Sequence, residues 1–122
     1  MQIDIQARSF SLTDALRSHA EWRMRFALTF FDNHIQRVVM RLSDIYRPRG
    51  GVDKHCHLQV VLAGLPDVVI EDTDGDPYVA IDRATDRAGR TVERRLARQR
   101  DRVRASGLIY TLSITKSPVI TL

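Results

Sequence analysis

Cysteine is almost absent from this chain. Cys56 is its only cysteine, so the fold cannot rely on an internal disulfide. The sequence also has no run of about 20 apolar residues, the length that a membrane-spanning helix requires. Its first residues lack the basic and then apolar pattern of a secretion signal. These absences predict a soluble protein of the reducing cytoplasm that has no membrane partner.

Lysine is scarce too, because only Lys54 and Lys116 of the 19 basic residues are lysines. The others are arginines, whose planar guanidinium groups bind phosphate through paired hydrogen bonds. The formal net charge is +4, and residues 77–104 alone hold nine arginines against four acidic residues. This concentration favours RNA or another phosphate-bearing partner over a membrane surface.

Motifs of enzymes are missing from the sequence. There is no phosphate loop, dinucleotide fingerprint or nucleophile elbow. We therefore predict no catalysis, no cofactor and no small-molecule substrate. His55 and His57 share one face of a predicted strand, but Cys56 points to the other face and no further His or Cys lies nearby, so we predict no metal site. The acidic segment 72–76 lacks the glutamate that a calcium loop needs and is interpreted as a helix cap.

The pattern of apolar residues predicts one α+β domain over residues 1–104. Period-two alternation predicts strands at residues 2–8, 35–46, 54–62 and 68–71. Helices are predicted from Asp14 to about Phe30 and from Pro77 to about Arg104, each opened by capping residues. The order β-α-β-β-β-α predicts two layers, one four-stranded sheet with two helices packed on one face.

Residues 105–122 form a C-terminal tail beyond this domain. Within it, Leu108, Tyr110, Leu112 and Ile114 alternate as they do in a strand. The tail is interpreted as an added edge strand, as a segment through which the chain forms oligomers, or as disordered residues. The sequence does not decide among these three.

The second predicted helix carries a row of arginines. Five of them fall within an arc of about 80° on the helix surface, opposite its apolar face. Such a row suits several phosphate contacts, and binding through it would depend strongly on salt. The alternative is a solvated face in which the arginines pair with Asp82, Asp86 and Glu93. The row consists of Arg83, Arg87, Arg90, Arg94 and Arg98.

The first predicted helix adds Arg17, Arg23 and Arg25, with three aromatic residues off its apolar stripe. Trp22, Phe26 and Phe30 are candidates for stacking on bases if they are exposed. The alternative is that they extend the core or pack on the tail.

Several short strings in the sequence resemble one known family. They are MQIDI at residues 1–5, LTDALR at 12–17, FD at 31–32 and DPYVAID at 76–82, and the last is followed by the arginine row. In order and spacing they resemble the ribosome hibernation promoting factor and ribosome-associated inhibitor family, also called sigma-54 modulation or S30AE proteins, in its short form. The resemblance covers about residues 1–104.

This resemblance implies a translation inhibitor of idle ribosomes, of the kind that acts in stress and stationary phase. In the family, basic residues on the two helices hold small-subunit rRNA in the decoding region, where mRNA and tRNA would bind. The positions that match here are Arg17, Arg23, Arg83, Arg87, Arg90, Arg94 and Arg98.

The sequence also departs from the family. Arginines stand where the family usually has lysines, and Phe26 occupies a basic position. The tail is neither the acidic tail of the inhibitor type nor long enough for the dimerisation domain of the long type, so whether ribosomes are paired or only occupied stays open. Two other functions are alternatives, a general module for structured RNA and a regulatory module whose arginines bind an acidic protein.

Overall fold

The computed structural model describes residues 1–9 and 11–116, with side chains described as far as residue 106. The chain divides into two compact units, Met1–Val92 and Glu93–Leu122. The elements in chain order are β1 (Gln2–Arg8), α1 (Asp14–Leu28), a 3₁₀ helix (Thr29–His34), β2 (Ile35–Tyr46), β3 (Val52–Leu62), β4 (Val68–Asp74) and α2 (Pro77–Lys116).

The four strands form one mixed sheet in the order β1-β2-β3-β4. β1 runs parallel to β2, because α1 carries the chain back to the starting edge, as parallel neighbours require. β2, β3 and β4 form an antiparallel meander with short connections. The predicted α+β fold is confirmed.

The core lies between the helices and one face of this sheet. Met40, Leu58 and Val60 point into it from the strands and are fully buried. α1 contributes a buried stripe that ends at Leu28, because the 3₁₀ helix that follows turns Phe31 only partly inward.

Thr13 caps the start of α1. Its hydroxyl oxygen accepts a hydrogen bond from the Leu16 amide at 3.2 Å, which satisfies one of the amides that a helix start leaves without a partner. Asp76 does the same for α2, since its carboxylate accepts from the Tyr78 amide at 2.9 Å and Pro77 is the first helical residue. Both helix starts were predicted from the sequence.

Replacing Thr13 with alanine should lower the free energy of unfolding by about 1 kcal/mol, the usual value of a side-chain cap. Urea unfolding followed by circular dichroism measures this. Ser11→Ala is the matched control, because Ser11 lies just before the helix and is exposed. Equal unfolding midpoints for the two variants would contradict a capping role for Thr13.

The end of α2 differs from the prediction. The helix continues to Lys116 instead of ending near Arg104, so residues 105–116 are helical and the strand interpretation of this segment is wrong. The physical reason is that the segment contains no proline, the residue that breaks a helix most strongly, and the first proline after it is Pro118. Residues 117–122 lie outside the described residues, and a role of the tail in self-association stays a prediction. In the part of the chain that the structure describes, no helix is long and apolar enough to cross a membrane.

Candidate RNA-binding surface

Ion pairs join α1 to α2 across the helix layer. His19 Nε2 lies 2.6 Å from Asp82 Oδ1, and an Arg23 terminal nitrogen, Nη2, lies 2.6 Å from Asp86 Oδ1. Arg23 Nε also lies 3.2 Å from Asp82 Oδ1, although its N–H does not point at that oxygen. The Arg23 side chain is only 16% exposed. Arg23 was predicted from the family resemblance to contact RNA, and the structure places it as a bridge between the helices.

Replacing Arg23 with glutamine should therefore lower the stability of the fold. We expect the free energy of unfolding to fall by about 1–2 kcal/mol, because Asp86 would lose its Arg23 partner and Asp82 would keep only His19, while both carboxylates remain partly in water. Urea unfolding measures the effect, and Arg25→Gln is the control because Arg25 is exposed on the same helix. A variant as stable as the control would contradict the bridging role, and contact of Arg23 with RNA stays a prediction.

Arg83 and Arg87 are anchored on β4. Arg83 Nη2 lies 2.8 Å from Asp72 Oδ1 and donates to the Thr73 carbonyl oxygen at 2.9 Å. Arg87 Nη1 donates to the Glu71 carbonyl oxygen at 2.8 Å. Each side chain is still 48% exposed. The two guanidinium groups are thus held in place by their contacts with β4 and remain accessible to a partner.

These acidic partners differ from those that the sequence suggested. The pattern along α2 favoured pairs with neighbours on the same helix, Asp82 and Asp86 among them. In the structure those two carboxylates face α1, and Arg83 and Arg87 form ion pairs with Asp72 on β4 instead. Asp72 is only 12% exposed, so it is more strongly coupled to the arginines than a carboxylate on the helix surface would be.

The remaining predicted arginines lie in three places. Arg90 is exposed on α2, near the line of Arg83 and Arg87. Arg17 is exposed on α1, but it lies about 160° around the helix from His19 and so faces away from α2. Arg94 and Arg98 belong to the second unit and are exposed there. The structure therefore brings together Arg83, Arg87 and Arg90, and it separates Arg17 from them.

The positive charge is unevenly divided between the two units. Residues 1–92 hold 12 basic and 13 acidic residues, whereas residues 93–122 hold seven basic and two acidic residues. The surface made by Arg83, Arg87 and Arg90 is thus a local positive patch on a unit that is close to neutral. We call these three side chains the α2 patch.

An exposed aromatic pair lies beside the helix bridge. Trp22 and Phe26 are 58% and 72% exposed, and their rings stack with centroids 5.5 Å apart. The Arg23 guanidinium lies 5.9 Å from the centre of the Trp22 ring. Phe30 is 90% exposed. These aromatics do not extend the core of the described part of the chain, and their faces are open to flat ligands such as bases.

Comparison with known proteins identifies the family. The family model described as sigma 54 modulation protein / S30EA ribosomal protein matches residues 3–100. The chain belongs to this family. The resemblance seen in the sequence is confirmed.

Solved structures agree with this assignment. The N-terminal domain of Protein Y from Thermus thermophilus has 30% sequence identity and a TM-score of 0.63, over 77% of this chain and 98% of that one. A ribosomal subunit interface protein from Coxiella burnetii has 18% identity and a TM-score of 0.68, over 80% of this chain and 99% of the other, and supports the fold. No curated protein sequence matches the chain significantly.

One cluster in this S30EA family member was missed by sequence reasoning. His55 and His57 lie on the sheet face that is turned away from the helices, and β4 places Glu71 directly opposite His57. The sequence did not reveal this neighbour, because Glu71 is 14 residues from His57 along the chain and only the register of β3 and β4 brings the two together. Cys56 points into the core, where burial and then the charge of Asp72 raise the pKa of its thiol to about 12. It is therefore neither a reactive thiolate nor part of this cluster.

Proposed function

We propose that this protein is a ribosome-associated translation inhibitor that binds small-subunit rRNA in the decoding region and excludes mRNA and tRNA. Membership of a family described as S30EA ribosomal proteins supports ribosome association. The name of the Coxiella relative, a ribosomal subunit interface protein, points the same way. Ribosome association implies a cytoplasmic protein.

The observation that carries the proposal is the α2 patch. Arg90 is exposed, and Arg83 and Arg87 keep about half of their side-chain surface in water while β4 fixes their positions. Anchored guanidinium groups lose less conformational freedom on binding than free ones do. They also present several hydrogen-bond donors to phosphate oxygens. The patch is thus suited to the RNA backbone.

The aromatic pair adds a second kind of contact. Trp22 and Phe26 offer ring faces for unpaired bases, and stacking on such faces is worth about 1–3 kcal/mol per base. Ribosomal RNA in a decoding region combines structured backbone with accessible bases, so a protein that offers both arginines and exposed rings fits it better than it fits plain duplex RNA.

The inhibition requires occupancy and no chemistry. Arginine contacts to phosphates release counterions, so affinity falls as salt is raised. A domain bound where mRNA and tRNA bind blocks both by occupying their space. Ribosomes would become active again when the protein dissociates.

Sucrose-gradient co-sedimentation tests the proposal. The purified protein is mixed with small subunits, with assembled ribosomes or with free duplex RNA, at low and at raised salt. We expect salt-sensitive migration with the small subunit and the ribosome, and none with duplex RNA. Binding to both kinds of RNA would favour a general module for structured RNA, and binding to neither would favour an acidic protein partner.

Competition tests the position on the subunit. Small subunits loaded with the protein should bind initiator tRNA and a short mRNA more weakly, in proportion to their occupancy. Footprinting of the rRNA should show protection around the decoding region. Full tRNA binding at saturating protein would contradict the decoding-region assignment even if the protein stays bound to the subunit.

A further inference from the structure

The face of the sheet that is turned away from the helices carries a cluster of metal-binding side chains. His55 and His57 are two residues apart on β3, so both point to this face. Glu71 on β4 is the cross-strand neighbour of His57. One nitrogen from each histidine and one Glu71 oxygen all lie within 4.8 Å of one another.

We propose that His55, His57 and Glu71 form a binding site for Zn²⁺ or a similar divalent transition-metal ion. Two imidazoles and one carboxylate are donors that such ions accept, whereas Mg²⁺ and Ca²⁺ prefer oxygen donors alone. The proposal does not rest on ribosome binding. The side chains of the site lie on the face of the sheet turned away from α1 and α2, although the main-chain oxygens of Glu71 and Thr73 also accept hydrogen bonds from Arg87 and Arg83.

The distances already approach those of a coordinated ion. His57 Nδ1 lies 3.0 Å from Glu71 Oε1, and His55 Nε2 lies 3.8 Å from the same oxygen. Metal bonds of about 2.0–2.2 Å at tetrahedral angles separate the donor atoms by about 3–3.5 Å. Small side-chain rotations are therefore sufficient. The ion would take the place of the direct contact between His57 Nδ1 and Glu71 Oε1.

The surroundings orient the donors. Thr73 Oγ1 lies 3.1 Å from His55 Nδ1, which leaves Nε2 of that ring directed at Glu71. A partner on the other ring nitrogen is the usual way in which proteins fix a metal-binding imidazole. The hydrogen bond from His57 and the nearby His55 also lower the pKa of Glu71.

Positive charges on the same face work against a cation. Arg41 is the β2 neighbour of His57, and Arg8 lines the same groove of about 670 Å³. Arg41 Nε, however, donates to Gln6 Oε1 at 3.4 Å, on the β1 side and away from Glu71. The imidazoles are 21% and 27% exposed and Glu71 is 60% exposed. The site is therefore open to an entering ion and to a water or outside ligand at its free positions.

Titration of tag-free protein with ZnCl₂ tests the proposal, with MgCl₂ as the negative probe. Isothermal calorimetry should show one Zn²⁺ per chain, and Zn²⁺ should raise the melting temperature. His57→Gln and Glu71→Gln should each weaken binding by at least about 10–100-fold, the range known for loss of a mere supporting partner. His34→Gln and Glu21→Gln are the controls, because both residues are exposed and lie outside the cluster.

Two further readouts keep the test independent of folding. Circular dichroism of the metal-free variants should match that of the unmodified protein, and amide NMR shifts on Zn²⁺ addition should concentrate in β3 and β4. Binding should also weaken as the pH is lowered, since protons compete with a metal ion for imidazole nitrogen. Absence of Zn²⁺ binding at equimolar concentrations, or equal binding by the folded His57→Gln and Glu71→Gln variants, would overturn the site. Neither result bears on ribosome binding.

Discussion

Replacing Arg83, Arg87 and Arg90 together with glutamine should lower the affinity for the small ribosomal subunit by about 100-fold. Hydrogen bonds to charged groups contribute about 1.5–3 kcal/mol each, and three of them at the low end exceed the roughly 2.8 kcal/mol that corresponds to this factor. The salt dependence should become shallower as well, by about one unit of logarithmic slope for each phosphate that is no longer neutralised. Fluorescence anisotropy with labelled protein at several salt concentrations measures both.

Glutamine is a better replacement than glutamate at these positions. None of the three arginines lies on the apolar face of α2, so the helix pattern by itself would allow glutamate without loss of the fold. The structure shows that Arg83 and Arg87 contact Asp72. Glutamate there would place like charges against a largely buried carboxylate and destabilise β4 and α2 together. Weaker binding would then not separate the surface from the fold.

A control of equal charge makes the result specific. Arg8, Arg37 and Arg49 are exposed and belong to β1, β2 and the loop after β2, so their replacement removes three charges without touching the helices. This control should show only the modest decrease in affinity that comes from overall charge. Equal decreases in the two triple variants would mean that general electrostatic attraction, and not the α2 patch, holds the RNA.

The fold could be predicted because its elements are encoded by local patterns. Alternation alone gave β1 and β2 with correct bounds, and Thr13 and Asp76 marked the two helix starts. The predicted ends of β4 and α2 were wrong, because no residue just beyond them stops the strand or the helix. β4 continues to Asp74 instead of ending at Glu71, and α2 runs to Lys116. The ends of helices and strands depend on the residues that pack around them, and the period of apolar residues along the sequence carries no information about that packing.

The site could be predicted only in part, because its residues act through tertiary contacts. The helical period correctly placed Arg83, Arg87 and Arg90 on the outer side of α2. It did not show that Arg23 faces Asp86, 63 residues away. The same limit applies to Glu71, whose meeting with His57 depends on strand register. Charged side chains reveal their partners only after the elements have been assembled.

The close contact between α1 and α2 should also contribute strongly to the free energy of unfolding. Gly89 on α2 packs against Ala27 on α1, and a β-carbon at position 89 would lie 3.3 Å from the Ala27 carbonyl oxygen and 3.6 Å from its β-carbon. Gly89→Leu should lower the free energy of unfolding by about 2–3 kcal/mol, because overpacking at a close contact costs more than the gain in helix propensity. Urea unfolding measures this decrease.

Gly89→Ala is the matched control for that change. Alanine gains up to about 1 kcal/mol in helix propensity over glycine, and the tight contact with the Ala27 carbonyl offsets this gain, so we expect little net change. In Gly89→Leu the helices must separate, which would lengthen the His19–Asp82 and Arg23–Asp86 pairs that join the same two helices. A leucine variant as stable as the alanine variant would mean that α1 and α2 are not in close contact at this point.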